Sequence, residues 1–327
     1  MSEHFYSFSQ YLTNKFSQKV HRISLDAGFK CPNIDGTISN QGCIFCNNKS
    51  FSHFSRVSLL SLEDQIIQAK EYIRKRFKVN KFIAYFQSNS NTYGDLDFLK
   101  RQYDLVRKFN DIVGIAISTR PDCIDQAKLN LIEGFAKDYE VCIEYGLQTI
   151  HGKTLKLINR GHTFSDFEKA IELTSKRSNI NIGVHVILGL PGETKLDMLE
   201  TARALAKMPI WGIKFHALHV VRDTLLADMY KQDNLSLLSL DEYVDILVSF
   251  LELLPKDQVV LRLVSDAHRD LLIAPSWVNN KNRVLKRIEN EFKKRQTYQG
   301  AAIQIGAFGK HMDINLALDG PVNIMLG

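Results

Sequence analysis

The chain has little cysteine, little proline and no long apolar run: 5 Cys and 7 Pro among 327 residues. No apolar stretch approaches the roughly 18 residues that a spanning helix needs, so a helical membrane protein is excluded. The opening MSEHFYSFSQYLTNKF shows no basic segment leading into an apolar one, so no secretory leader is expected. An odd number of cysteines in a chain this long does not fit a secreted disulfide framework, and a reducing cytoplasm is the expected setting. Internal repeats, low-complexity tracts and obvious linkers are also missing.

What is present is enough for a large core. With 45% hydrophobic and 24% charged residues, the chain can form one large α/β domain or two smaller ones. The net charge of +6 is unevenly spread. KEYIRKRFKVNK (70–81) and KNRVLKRIENEFKKR (281–295) are strongly basic. Either suits a phosphate backbone, and either suits a solvated helix face.

Strand-length apolar runs alternate with segments of helical period. The strands are expected at 20–27, 81–87, 111–118, 139–148, 180–189 and 212–220, several of them apolar on both faces as buried parallel strands are. Capping pairs Ser61 with Asp64 and Ser165 with Glu168 mark helix starts, Asp95 opens another helix, and 193–207 is amphipathic. This is a βα series: a partial or complete parallel barrel, or an open doubly wound sheet. Loops at the C-terminal strand ends build the site in either case. A further strand (259–265) and helices near 239–254 and 282–296 form a C-terminal extension. The expected division is an N-terminal segment 1–18, a core 19–236 and an extension 237–327.

Three of the cysteines, Cys31, Cys43 and Cys46, fall in CPNIDGTISNQGCIFC after the first strand. A structural zinc site needs four ligands, and only His53 follows nearby to complete one. A thioredoxin-like pair would open a helix without an upstream third cysteine. A four-iron cluster on three cysteines leaves one iron open to an exchangeable ligand, which is a catalytic arrangement. Cys123 and Cys142 lack such partners and read as small packing residues.

The three-cysteine motif ending in Cys-x-aromatic-Cys resembles that of the radical S-adenosylmethionine (SAM) superfamily. Its long first spacing, followed in order by FQSNSNTYG, STRPDC, EYGLQT, NRGHTF and GLPGET, resembles the YhcC/YtqA-type (MnmL-like) subgroup, related in its core to the Elongator catalytic subunit. The resemblance implies a partial (β/α)6 TIM-like barrel. It also implies that Cys31, Cys43 and Cys46 hold a [4Fe-4S] cluster whose open iron binds SAM. Reductive cleavage there would give a 5′-deoxyadenosyl radical, with flavodoxin or ferredoxin as the electron source.

Carried over position by position, Phe45 lies near the adenine. Gln87, Asn91 and Thr92 stand where the family binds the SAM amine, although the usual glycine and acid are absent. Ser118 and Arg120 suit ribose or carboxylate contacts, Arg through its two-donor fork. Glu144 and Gln148 flank the end of the fourth strand; a carboxylate in so apolar a run must be paired or bound, with SAM, substrate or an arginine such as Arg160. Arg160 belongs to an RGH element, and Ile187 and Gly189 to an element against adenine. Glu144, Arg160 and His216 are the catalytic candidates. Of His216 and His219 at most one is expected to line the cavity, and His185 to be a satisfied core residue. The subgroup implies tRNA as substrate, with carboxymethylaminomethyluridine at the wobble position converted to aminomethyluridine. A small-molecule or peptide substrate, and a metal-stabilised RNA-binding module, are the rival readings.

Overall fold

The computed structural model describes residues 4–47, 50 and 60–303; His53 lies outside them. The six expected strands form as β1 (Val20–Leu25), β2 (Lys81–Phe86), β3 (Ile112–Thr119), β4 (Glu140–Gln148), β5 (Ile180–Leu188) and β6 (Gly212–Ala217). They pair in chain order, each parallel to the next. After a short β7 (Val220–Val221), β8 (Val259–Arg262) joins the same sheet beside β6, and β9 (Leu272–Ala274) pairs antiparallel with β7.

The sheet curls into a half-barrel, as side chains meeting across it require. Tyr85 on β2 and Lys214 on β6 are four strands apart, about 19 Å in a flat sheet. Their Oη and Nζ atoms nevertheless lie 2.6 Å apart. Outside the curl, helices bury apolar faces on the parallel strands, the arrangement of a βα series.

The N-terminal end of the half-barrel is plugged by α1 (Phe8–Phe16), started by a capping box between Ser7 and Gln10. Its Leu12 packs with Ile83, Tyr85, Ala116 and Cys142. Cys142, like Cys123, is therefore a buried packing residue. Six helices then follow the first five strands: α2 (Leu62–Phe77), α3 (Leu96–Asp104), α4 (Gln126–Glu133), α5 (Gly152–Leu157), α6 (Phe164–Ser175) and α7 (Lys195–Leu205). Ser61 and Asp95 cap α2 and α3 as expected. The expected cap at Ser165 is displaced: Thr163 caps α6 and pairs reciprocally with Asp166. The threonine stands two residues earlier and offers the same S/T-x-x-acid spacing, so the backbone uses the first of two such signals.

α8 (Leu225–Lys231), α9 (Leu240–Glu252) and α10 (Lys281–Arg295) complete the fold. A crossover helix runs antiparallel to the strands it joins, so the basic C-terminus of α2 lies at the strands' N-terminal end. His21 stacks on Phe77 there, and Lys70 and Arg74 pair with Asp111. α10 runs alongside α9 in the same direction, with Arg287 on Asp241 and Arg295 on Asp245 and Glu252. Its basic end also points away from the C-terminal strand ends. Neither basic segment flanks the face where a barrel site forms, and several of their charges are already neutralised by neighbouring acids.

Candidate functional site

The loop after β1 turns through Cys31, whose carbonyl accepts from Ile34 N at 2.9 Å. Gly42 then adopts φ +72, a left-handed turn open to glycine at little cost, and its N–H donates to Asn33 O at 2.7 Å. Cys46 N closes back on Cys43 O at 3.0 Å. Ile44 N bonds Ile158 O, and Leu226 N bonds Ile44 O, so the loop is anchored to two later segments. Asn33, fully buried, donates to Asn159 O at 2.7 Å and to Cys43 Sγ at 3.5 Å. Gly161 packs so closely on Asn33 that a Cβ there would sit 2.6 Å from its Oδ1.

All three thiols open on one cavity at the C-terminal strand ends. Burial raises the pKa of Cys31 and pushes that of Cys46 up to about 12, each further opposed by the neighbouring cysteines. Arg160 Nη1 approaches Cys43 Sγ at 3.4 Å. Three crowded thiols around one cavity, with arginine beside them, form a donor set that a cationic cluster completes. A single ion would draw its ligands closer. Among the described residues the one trio of His, Cys, Asp or Glu with ligand atoms all within 4.8 Å is His151, Asp197 and Glu200, and the thiols are not such a trio. The cysteine loop therefore fits the cluster better than zinc.

Phe45, Gln87, Ser118, Arg120, Gln148, Arg160 and Ile187 also face this cavity. Arg160 is set by Gly146, whose carbonyl accepts its Nε at 3.2 Å and Nη2 at 2.7 Å. A Cβ on residue 146 would lie 2.6 Å from that Nη2, so only glycine allows this approach. Arg120 spends its fork on Asp122, at 2.9 and 2.7 Å, and its Nη1 on Arg160 O at 2.8 Å. Gln148 stands at φ +81 where the register between β4 and β5 slips, a bulge that turns its side chain to the cavity.

Four expected residues lie behind the wall. Asn91 donates to the carbonyls of Ser88 and Ser118, and the Thr92 hydroxyl bonds Thr119 Oγ1 and Cys123 O. Both are fully buried and hold the β2 and β3 loops together. Gly189 turns at φ +87 against Leu238. Glu144 lies below the cavity floor, fully buried, and its arginine partner is Arg22 rather than Arg160, at 2.6 Å.

Around Glu144 runs a polar layer with no counterpart in the sequence expectations. Its Oε2 accepts from Lys214 Nζ at 2.9 Å and from His185 Nε2 at 2.7 Å. Burial disfavours its charge, yet Arg22 and then Lys214 hold its carboxyl well below the usual range. Burial also drives Lys214 down to about 7, against the pull of Glu144, and His185 to about 4. His185 is bonded in the core as expected but also faces the cavity. His216 and His219 both line it, which corrects the expectation that at most one would. The chain leaves β6 at Ala217, and His219 folds back so that its Nδ1 lies 2.9 Å from Ala217 O. Arg262 on β8 completes the layer, its Nη2 donating to His216 Nδ1 at 2.9 Å. Lone cations within the apolar runs VVLRLVS and GIKFHALHV were the available signal, since a charge there must find a partner.

No helix among the described residues is long and apolar enough to cross a membrane. The sequence profile of the Radical SAM superfamily matches residues 34–205, and that of the Radical_SAM C-terminal domain matches residues 210–294. YtqA of Bacillus subtilis is 35% identical over 300 residues, covering 92% of this chain and 93% of YtqA. Methanocaldococcus infernus Elp3 with an N-terminal deletion shares the fold with a TM-score of 0.59 at 18% identity, over 86% of this chain and 64% of that one. The tRNA uridine(34) acetyltransferase of Methanocaldococcus jannaschii is 26% identical over 147 residues, 44% of this chain and 26% of its own length. With a half-barrel, three thiols at its C-terminal mouth and these matches, the chain belongs to the radical SAM superfamily of enzymes that use a [4Fe-4S] cluster and S-adenosylmethionine.

Proposed function

We propose that the protein remodels the C5 side chain of the wobble uridine of tRNA, converting carboxymethylaminomethyluridine to aminomethyluridine. The observation that carries this reading is the match to an enzyme named for uridine 34 of tRNA. That match spans 44% of this chain and 26% of the other enzyme, so it supports the wobble uridine as the target and leaves the direction of the reaction to the test below.

Cys31, Cys43 and Cys46 hold the cluster, and the cavity behind them receives SAM. Bound there, the pair supplies reductive carbon–sulfur cleavage, and with it the means to take a hydrogen atom from a C–H bond beside the substrate amine. Arg160 and Asn33 both contact the Cys43 sulfur and set its position. Phe45 and Ile187 give the adenine apolar surface, while Gln87, Ser118 and Gln148 offer hydrogen bonds around it. Arg120, locked by Asp122, fixes the Arg160 carbonyl and thereby the RGH turn. A loop base must leave its stack to enter a cavity of this kind, which suits an unpaired anticodon nucleotide.

Mass spectrometry of tRNA nucleosides from a deletion strain tests the reading. Carboxymethylaminomethyluridine should accumulate and aminomethyluridine should disappear. An unchanged wobble-uridine profile overturns it and points to a small-molecule or peptide substrate.

A further inference from the structure

The polar layer under the cavity is unbalanced. Two guanidinium groups, Arg22 and Arg262, and the amine of Lys214 surround one buried carboxylate, Glu144, which binds Arg22 and Lys214 directly. Arg262 is left over. Among the described residues it forms no ion pair within 4 Å, and its Nε is buried with no hydrogen-bond partner. Its bonded neighbour is the His216 ring, which accepts from it as a neutral imidazole. Three residues on, the Ser265 hydroxyl is likewise buried and unpartnered. Arg262, His216 and Ser265 all face the same cavity, and the nearest acid on that rim, Asp266, is exposed to solvent.

Arg262 as a whole is half-buried, but its idle Nε is buried and costly to keep, because a buried polar group without a partner loses its hydration and gains nothing in return. Such a group is stabilised when an anion enters, and a carboxylate matches the guanidinium fork. Arg262 sits on β8, at the sheet edge farthest in strand order from β1 and the cysteine loop that follows it. The curl of the sheet brings that edge onto the same cavity as the thiols, and the anion it awaits belongs in that shared space.

We infer that Arg262, with Ser265 beside it, is the receptor for a carboxylate of the substrate, and that it selects the carboxymethyl-bearing side chain over the product. This rests on the wobble-uridine reading above. The product, an amine without that carboxylate, would meet uncompensated positive charge from Arg262 and would be released. The same pair of groups thus provides both recognition before reaction and repulsion after it.

The test is a cycle between residue and ligand group. Affinities of reconstituted holoenzyme are measured for two anticodon stem-loop RNAs, identical except that one carries carboxymethylaminomethyluridine and the other aminomethyluridine. Wild type should prefer the first by about tenfold or more, the scale of one charge-assisted hydrogen bond at about 1.4 kcal/mol per decade. Arg262→Gln should reduce that preference to within about twofold, Arg262→Lys should keep part of it, and Ser265→Ala should lower it modestly. An undiminished preference in Arg262→Gln overturns the inference while leaving the wobble-uridine reading intact. If instead SAM affinity falls and the RNA preference persists, the anion is the methionine carboxylate of SAM, and the inference is again overturned. Should Arg262→Gln fail to fold, Ser265→Ala and Arg262→Lys decide by the same ratio. A wild type that neither distinguishes nor converts either RNA removes the functional reading itself.

Discussion

Arg120 and Arg160 stand beside the cysteines with their donors committed, Arg120 to Asp122 and the Arg160 carbonyl, Arg160 to the Gly146 carbonyl and Cys43 Sγ. Arg262, on β8, keeps a buried Nε with no hydrogen-bond partner among the described residues. The contrast separates two tasks. A permanently resident cofactor favours walls that are finished before it binds, because every ordered side chain is entropy already lost. A substrate that must enter and leave favours a site completed only in its presence. The cysteine side is built like the first and the β8 side like the second.

The largest effect that bears on this contrast is at Cys43. Cys43→Ala should abolish cluster loading and formation of 5′-deoxyadenosine, yet leave the half-barrel folded, because the loop is tied down independently by Asn33, Ile44 and Asn159. Iron content and calorimetry on the same sample check both halves. Global unfolding would mean that the cysteine side is not finished in advance and depends on its metal as a zinc finger does.

Glu144→Ala comes next and acts on stability. It leaves Arg22 and Lys214 buried without a counter-charge, and removing one partner of a buried pair costs about 3–5 kcal/mol. A urea midpoint shifted to match, at unchanged slope, is the expected result. A shift under about 1 kcal/mol would mean that the layer tolerates further bare cations, and Arg262 would lose its distinction.

How much of this was legible beforehand follows from the range of each interaction. The strands, the cysteine loop and most caps are local patterns, and they appear where periodicity and spacing put them. The Glu144 network is not local. Its partners stand 122 residues upstream at Arg22 and 70 downstream at Lys214, and only the curl of the sheet joins them. A sequence shows that Glu144 needs a partner, but topology chooses which. The bulge that presents Gln148 is invisible for a related reason: a register slip depends on both strands at once. The basic segments were misleading because charge is read along the chain, while the barrel sends both of them to its far end.

Acidity gives the next, smaller test. His185 titrates at about 4 in the fold against 6.5 when exposed, so between those values the unfolded chain binds more protons and stability rises with pH. Glu144, held well below 4.5, adds stability that is present above 4.5 and lost as acid takes pH through its folded value. Lys214, at about 7 against 10.5, makes stability rise again between 7 and 10.5. Urea midpoints of a variant with all three cluster cysteines changed to Ala should fall from pH 6.5 towards 4 and climb from 7 to 9. Lys214→Met should remove the alkaline climb alone. A flat profile in both would mean that the layer is hydrated.

The smallest expected effect compares the two ends of the barrel as surfaces for RNA. Lys30, Arg222 and Arg269 are exposed in loops at the C-terminal strand ends, with Asn47 beside the cysteines donating to Arg222 O. Lys293 and Lys294 lie at the opposite end and already pair with Glu289 and Glu291. Each phosphate contact contributes nearly one unit to the slope of log affinity against log salt. Reversing Lys30, Arg222 and Arg269 together should therefore flatten the slope for tRNA by about two to three, while reversing Lys293 and Lys294 should change it by less than about one. Arg295 is left out of the far-end set because it braces α9 through Asp245 and Ser249, and its loss would confuse packing with binding. The opposite ranking would place tRNA along the side and base of the barrel, with its anticodon reaching the thiols from around the rim.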